Sequence, residues 1–262
     1  GGRTGSGFFN GKIQDFRIYN NLAKYTGDFI PASTNPDILP DTPSGVAYGS
    51  ALTKITDGAV AFDGTGDYLD IPNSTDFDFG SGEFTIEFWI KTTTTVIRGI
   101  ASKRTSSGAT DTNWIVYVTA AGELQFYASD GSAYQISGIS GGTINDGSWH
   151  HCAVVRSGNT FSLYVNGVSV ASQTSSFTIS STSRPVYIGI DHPGNATDFI
   201  GFISNFRVVK GTALYTSNFT PPTKTLTNVT NTKLLCCQSN TSATEAAVTP
   251  GTITANGDAV AT

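Results

Sequence analysis

The sequence is poor in charged residues and contains no methionine. Charged side chains make up 13% of its 262 residues, and the 15 lysines and arginines are fewer than the 20 acidic residues and form no cluster. Proteins that hold nucleic acid or anionic lipid by charge need a basic patch, so we expect neither partner. Because methionine is missing even at position 1, we expect a fragment or processed piece of a longer product.

Long apolar runs are missing as well. No stretch approaches the roughly 20 apolar residues of a membrane-spanning helix. The N-terminal segment GGRTGSGFFNGK has no signal-peptide hydrophobic region. We therefore expect no membrane insertion.

Cysteine is scarce, and its three copies cannot all pair within one chain. Cys152 alternates with apolar neighbours, which predicts a buried thiol, with a disulfide to Cys236 or Cys237 as the alternative. Adjacent residues in a strand point to opposite sides. We therefore expect at most one of Cys236 and Cys237 to face the core.

Glycine and short alternating segments dominate what is present. The 29 glycines accompany many serines and threonines, and segments such as FTIEFWIK alternate apolar and polar residues at period two. Asn166 and Gly167 suit a type I′ hairpin turn because both tolerate positive φ. With about a dozen short strands and no credible long helix, the pattern predicts an all-β, two-sheet antiparallel jelly-roll β-sandwich.

An internal repeat organises the chain. The segment from Gly11 to Pro31 aligns with that from Gly201 to Pro221 at a constant offset of about 190 residues. In the second copy, a three-residue step from Ile203 to Phe206 predicts a β-bulge, and Ile13 to Phe16 repeats it. The expected units are a closing strand and tail of a preceding repeat (1–31), a proline-rich linker (32–45), the β-sandwich (46–238) and an extended C-terminal arm or linker (239–262).

Five segments carry a family resemblance. In order they are VAFDGTGDYLDIP, FTIEFWIK, DGSWHHCAVVRSGNTFSLYVNG, VYIGI and DFIGFISNFRVVKGTALY. This ordered set resembles the strand signatures of laminin G-like domains of the concanavalin A-like lectin and pentraxin superfamily. The ending ALYTSNFTPP resembles units in tail-fibre and other virion proteins of marine phages. The resemblance implies a concanavalin A-like sandwich and a place on a virion or extracellular surface.

Enzymatic relatives on the same sandwich are glycoside hydrolases, which need two carboxylates flanking the scissile bond. Glu83 and Glu87 are the nearest match among only four glutamates, but Thr85 sits between them and the clustered acidic pattern is missing. His150 and His151 are adjacent and point to opposite faces, which is poor geometry for shared catalysis or metal binding. We expect no enzyme and a structural role for both histidines.

The resemblance also implies a calcium site at one rim, where two loops would supply hard oxygen ligands. The candidate ligands are Asp111, Asn113, Asp191, Asn195 and Asp198. Neither loop has a run of consecutive acids, so a solvated polar loop is the alternative. A separate cluster of Asp63, Asp67 and Asp70 is typical of turns, where Asp satisfies local backbone groups.

Tyrosines on one hairpin offer a sugar-binding face. Tyr117, Gln125 and Tyr127 lie opposite the apolar side of the hairpin 114–128, and Tyr134 follows nearby. Exposed aromatic faces match the C–H groups of sugar rings. The alternative is that these rings pack under a loop or a neighbouring subunit.

The sequence thus predicts a non-enzymatic surface module of a repetitive virion or extracellular protein that binds a host-surface glycan. The alternative is a purely structural fibre or capsid-decoration element with no ligand. The expected partners are a cell-surface glycan and neighbouring repeat units or other surface proteins. We also expect a homo-oligomer, because copies of a weak site gain strength through avidity.

Overall fold

The computed structural model describes residues 58–262, which contain sixteen β-strands and two short 3-10 turns. The strands are β1 (Val60–Asp63), β2 (Tyr68–Ile71), β3 (Phe84–Lys91), β4 (Arg98–Arg104), β5 (Thr112–Val118), β6 (Glu123–Ser129), β7 (Tyr134–Thr143), β8 (His150–Ser157), β9 (Thr160–Val165), β10 (Val168–Thr174), β11 (Val186–Ile188), β12 (Ile200–Lys210), β13 (Thr232–Cys236), β14 (Ala246–Val248), β15 (Thr254–Asn256) and β16 (Val260–Ala261). The 3-10 turns are Thr75–Phe77 and Ala109–Asp111. The predicted units 1–31 and 32–45, and with them the first copy of the repeat, lie outside the described residues.

The strands form two antiparallel sheets. One has nine strands in the order β10-β9-β8-β3-β12-β1-β16, with β13 paired to β12 and β14 paired to β13. The other has seven strands in the order β15-β2-β11-β4-β5-β6-β7. The predicted all-β, two-sheet jelly-roll sandwich is confirmed. Between residues 58 and 262 no helix has the length and apolar character needed to cross a bilayer.

The core lies between the sheets and follows the period-two pattern of the sequence. The apolar side chains of β3 at alternate positions, Phe84 to Ile90, are buried in it. Phe88 stacks on Phe206 of β12 with ring centroids 5.7 Å apart. Side chains on the other side of each strand therefore lie on the outer face of a sheet, where they can form a binding site.

Two local predictions in the strand connections are confirmed. The pairing of β12 with β3 shifts register between Ser204 and Arg207, and Asn205 has a φ of 51°. This bulge lets both Ile203 and Phe206 reach the core. Asn166 and Gly167 connect β9 to β10 with φ values of 51° and 79°, as a type I′ turn requires.

The cysteines confirm one prediction and correct another. All three are free and buried, so the disulfide alternative is wrong for these residues. Cys236 and Cys237 both face the core, although at most one was expected to. Strand β13 ends at Cys236 and Cys237 takes a φ of 60°. The chain therefore leaves the strand alternation there, and the two Sγ atoms lie 3.7 Å apart.

Residues 239–262 differ from the arm or linker expected from their composition. Strand β14 pairs with β13, β15 with β2 and β16 with β1, so this segment extends both sheets. Ala243 and Ile253 are buried in the core. Backbone hydrogen bonds to sheet edges need no large apolar side chains, which is why composition alone did not reveal these strands.

Candidate functional site

The four predicted sugar-binding residues lie together on the outer face of the seven-stranded sheet. Tyr117 of β5 pairs with Gln125 of β6, and the neighbouring residues of the hairpin face the core. The Tyr127 ring meets that of Tyr117 edge to face at 6.0 Å and that of Tyr134 at 5.4 Å. We call the set of Tyr117, Gln125, Tyr127 and Tyr134 the tyrosine face.

Members of the tyrosine face differ in exposure. Tyr117 is 8% exposed, whereas Gln125, Tyr127 and Tyr134 are half-buried. The Gln125 amide nitrogen donates to the carbonyl oxygen of Gly138 over 3.3 Å. Only Tyr127 and Tyr134 therefore offer ring surface to a ligand, and Tyr117 supports them from below.

The buried carboxylate of Asp191 holds the Tyr117 ring in place. The Tyr117 hydroxyl donates to Asp191 Oδ2 over 2.6 Å, and the Asn195 amide donates to the same oxygen over 2.9 Å. Arg104 Nη1 lies 3.7 Å from that oxygen. Burial, followed by the hydrogen bond to Asp191 and its charge, raises the pKa of Tyr117. The phenol therefore stays protonated and keeps donating at neutral pH.

The other oxygen of this carboxylate, Asp191 Oδ1, is buried without a hydrogen-bond partner among the described residues. The His192 ring nitrogen Nε2 lies 3.7 Å away, and it also approaches the Ser107 hydroxyl at 3.4 Å. The loop after β11 is thereby drawn onto the loop after β4 beside the tyrosine face.

The predicted calcium ligands do not converge. Asp111 accepts from Ser106 over 2.6 Å and forms an ion pair with Arg184. The Asn113 side chain is buried, and its amide donates a hydrogen bond to the Ser180 carbonyl oxygen and accepts one from the Thr182 hydroxyl. Asp198 instead accepts from the Gly66 backbone over 3.0 Å.

Arginine side chains also lie beside two of the candidate carboxylates, which leaves Asp191 Oδ1 as the unpaired oxygen described above. Arg184 pairs with Asp111, and Arg104 lies next to Asp191. The residues at this rim therefore do not fit a calcium ion held by the predicted set. Calcium binding by the chain stays a prediction.

The turn residues Asp63 and Asp67 behave as their turn chemistry predicts. Asp63 accepts from the Thr65 amide over 2.7 Å, and Asp67 accepts from the amides of Asp63 and Asp258 over 2.9 and 2.7 Å. Carboxylate oxygens of Asp63, Asp67 and Asp258 lie within 4.8 Å of one another. Asp70 is outside this group. These hydrogen bonds fasten the turn 257–258 to the turn after β1.

The glutamates nearest to a hydrolase pair lie on the nine-stranded sheet and form no open site. Glu87 is buried and accepts from Arg207 Nε and Nη2 over 2.8 and 2.6 Å, from His151 over 3.1 Å and from the Tyr215 hydroxyl over 2.8 Å. Glu83 is exposed. A buried, ion-paired carboxylate cannot reach a glycosidic bond.

The same cluster explains the histidines and the ALYTSNFTPP segment. The Tyr215 and Phe219 rings stack at 3.6 Å over His151 and Tyr164. His150 has separate partners, Asp146 and Asn166. These motifs therefore cover the part of the nine-stranded sheet around Glu87 and His151, and they leave the tyrosine face uncovered by this segment.

Sequence reasoning missed Arg104. Its position beside Asp191 depends on a register shift in the pairing of β4 with β5 between Lys103 and Arg104. Nothing in the period-two pattern of IASKR signals that shift. Asn195 was predicted as a calcium ligand, and in the structure it supports Asp191 instead.

A family model described as the concanavalin A-like lectin/glucanases superfamily matches residues 63–215, more than half of the chain. The chain belongs to this superfamily. No curated protein matches the sequence significantly.

Three solved structures are similar to this chain. A candidate carbohydrate-binding protein from Bacteroides ovatus ATCC 8483 is 17% identical with a TM-score of 0.55, and the match covers 79% of this chain and 60% of that one. The heptameric SAP-like pentraxin from Limulus polyphemus is 22% identical with a TM-score of 0.43, covering 66% and 78%. Domains LG4-5 of the mouse laminin alpha1 chain are 15% identical with a TM-score of 0.47, covering 80% and 51%. At 17% identity, the likeness to the Bacteroides ovatus protein shows the fold alone.

Proposed function

We propose that this concanavalin A-like domain is a non-enzymatic module that binds glycan through the tyrosine face. The observation that carries the proposal is the row of edge-to-face contacts from Tyr117 through Tyr127 to Tyr134. Tyr117 is buried and hydrogen-bonded to Asp191, whereas the other two rings are half exposed. Sugar rings place apolar C–H groups against aromatic faces. The half-exposed Gln125 supplies a polar group next to those rings.

Rigidity supports this assignment. Each interaction of Asp191 with Tyr117, Asn195 and Arg104 restricts the support under the exposed rings. A preformed surface loses little conformational entropy on binding, which raises the affinity obtained from few contacts.

The biological setting follows from the same proposal. A single face with two half-exposed rings binds weakly, so display of several copies would supply avidity. We propose a virion or extracellular surface as the location, with a homo-oligomer or neighbouring repeat units presenting the copies. The ALYTSNFTPP ending, which resembles units of virion proteins, supports that setting.

A structural element without a ligand is the second candidate. The observation that favours it is apolar surface on the nine-stranded sheet, where Val168 and Val260 are 53% and 55% exposed. These residues lie on the two opposite edge strands of the sheet, β10 and β16, and an exposed edge strand can pair with another chain. Under this alternative the domain packs against partners in a fibre or capsid.

A glycan array followed by calorimetric titration of the strongest neutral oligosaccharide tests the proposal. We expect Tyr127→Ala to weaken binding at least about tenfold, a loss of about 1.4 kcal/mol. Tyr68→Ala is the matched control, because Tyr68 is half-buried on the same sheet and meets the ring of Tyr187 edge to face instead. An array without signal, or equal weakening by both variants, contradicts the proposal.

A further inference from the structure

A second concave site lies at the end of the nine-stranded sheet where β3 ends and β12 begins. Lys91 of β3 pairs with Phe202 of β12, and both point away from the core because the adjacent Ile90 and Ile203 are buried in it. Beside them opens a pocket of about 350 Å³. Its lining consists of Phe62, Lys91, Thr92, Thr93, Gly147, Ile200, Gly201 and Phe202.

An exposed tryptophan borders this pocket. Trp149 directly precedes β8, whose first residue His150 pairs with Ile90, so Trp149 lies beside Lys91. It is 38% exposed, and its ring lies 6.3 Å from that of Phe202. The other two tryptophans, Trp89 and Trp114, are buried. Phe202 and the exposed Ile200 give the pocket an apolar wall, and Trp149 lies next to this wall through its contact with Phe202.

One side of the pocket is built by close packing of two strands. Gly201 has a φ of 133°, and a Cβ at this position would clash with the carbonyl oxygen of Lys91. The Thr92 hydroxyl is used internally, since it donates to the Ile200 carbonyl oxygen over 2.7 Å. Gly201 of β12 therefore packs directly against the backbone of β3, where a larger residue would not fit.

A lone positive charge distinguishes this pocket from ordinary apolar surface. No carboxylate of residues 58–262 forms an ion pair with Lys91, although the whole chain has a net charge of -5. An ammonium group beside aromatic rings favours a ligand that combines an anion with a flat apolar face. A second copy docked by two-fold symmetry would bring like charges into one contact.

We propose that the pocket lined by Lys91 and Phe202, together with Trp149 beside it, binds a carboxylated sugar ring, as found in uronic and sialic acids. The ring stacks on Trp149, and its carboxylate pairs with the Lys91 ammonium. The site rests on the proposed function only in taking a glycan as its ligand. It lies on the opposite sheet from the tyrosine face, so each site can fail without the other.

Tryptophan fluorescence tests this proposal, because Trp149 is the one exposed tryptophan of the three. Hexagalacturonate and 3′-sialyllactose are titrated as acidic probes, with neutral maltohexaose as the comparison. We expect a saturable change in emission and protection from acrylamide quenching with at least one acidic probe. The apparent Kd should weaken at least about tenfold for Lys91→Gln, whereas Lys224→Gln, an equal charge change at an exposed position outside the pocket, should stay within about twofold.

Three results would overturn the proposal. The first is no saturable change with either acidic probe. The second is an equal response to maltohexaose or an unchanged Kd for Lys91→Gln. The third is concentration-dependent self-association in sedimentation velocity that by itself protects Trp149. The Tyr127→Ala variant should keep the full fluorescence response, so loss of the tyrosine face alone leaves this readout intact.

Discussion

The hydroxyl of Tyr117 donates a 2.6 Å hydrogen bond to the buried carboxylate of Asp191, a residue 74 positions later in the chain. This contact ties the centre of the seven-stranded sheet to the loop after β11. Because its hydroxyl is held by Asp191, the Tyr117 ring forms a rigid support for Tyr127. The loop and the exposed rings therefore form one unit.

Removing that hydrogen bond should destabilise the domain measurably. Tyr117→Phe leaves the buried Asp191 carboxylate with one donor fewer, and we expect a loss of about 1–3 kcal/mol in the free energy of unfolding. The free energy of unfolding is measured by urea denaturation. Tyr127→Phe is the control, because the Tyr127 hydroxyl has no hydrogen-bond partner among residues 58–262, and it should change stability by less than about 0.5 kcal/mol. Equal losses in both variants would contradict the assigned support role.

The buried Glu87 should make stability depend on acid pH. Burial alone would raise its pKa, but the hydrogen bond from His151 and the charge of Arg207 outweigh burial and lower it from 4.5. Because the folded-state pKa lies below the unfolded value, the carboxylate stabilises the fold above that unfolded value. This contribution is lost as the pH falls through the folded-state pKa.

Urea unfolding measured between pH 7 and pH 3 checks this dependence. Glu87→Gln should flatten the curve below the unfolded pKa of 4.5 relative to the parent protein. At pH 7, Arg207→Met should cost about 3–5 kcal/mol, because it leaves a buried charge without its partner. Parallel pH curves for the parent and Glu87→Gln would refute the prediction.

The hairpin turn at Gly167 should be unusually intolerant of a side chain. Its φ is 79°, and an added Cβ would clash with the carbonyl oxygen of Phe219. The Phe219 amide also donates to Gly167 over 2.8 Å. Gly158→Ala, at a φ of 56° with open space around it, should cost only the backbone strain of about 1–2 kcal/mol.

We expect Gly167→Ala to exceed Gly158→Ala by at least about 1 kcal/mol in thermal or urea unfolding, because the Phe219 segment must also shift. A difference near zero would mean that residues 211–221 do not rest on this turn.

The C-terminal segment should contribute to the fold rather than link it to a neighbour. Ile253 is 4% exposed in the core, whereas Val260 is 55% exposed. We expect Ile253→Ala to cost about 2–5 kcal/mol and Val260→Ala less than about 0.5 kcal/mol. Negligible and equal effects in urea unfolding would indicate a free arm.

The fold could be predicted from the sequence wherever a local rule acts. Alternation in β3 predicted which of its side chains are buried, and Asn166 with Gly167 predicted a turn. The step from Ile203 to Phe206 predicted the bulge. Each depends on residues adjacent in the chain. The site depends on contacts between distant segments, which a single sequence does not specify.

Particular residues show where this limit falls. Alternation placed Tyr117 on the outer face, but its burial comes from the loop carrying Asp191 and Asn195. Asp111 was predicted as a metal ligand, yet its ion pair with Arg184 forms only once the loop after β4 meets residues 180–184. Cys237 points into the core because its backbone takes a positive φ. The pattern of side chains in the sequence does not predict this backbone conformation.

The most direct measurement maps the glycan onto individual tyrosines. The 10 tyrosines are labelled with 3-fluorotyrosine, their ¹⁹F signals are assigned with Tyr→Phe variants, and the oligosaccharide selected on the array is titrated in. Saturable shifts of Tyr127 and Tyr134, with Tyr68 unchanged, are the result we predict. Binding of that oligosaccharide with the Tyr127 and Tyr134 signals unmoved would contradict the account.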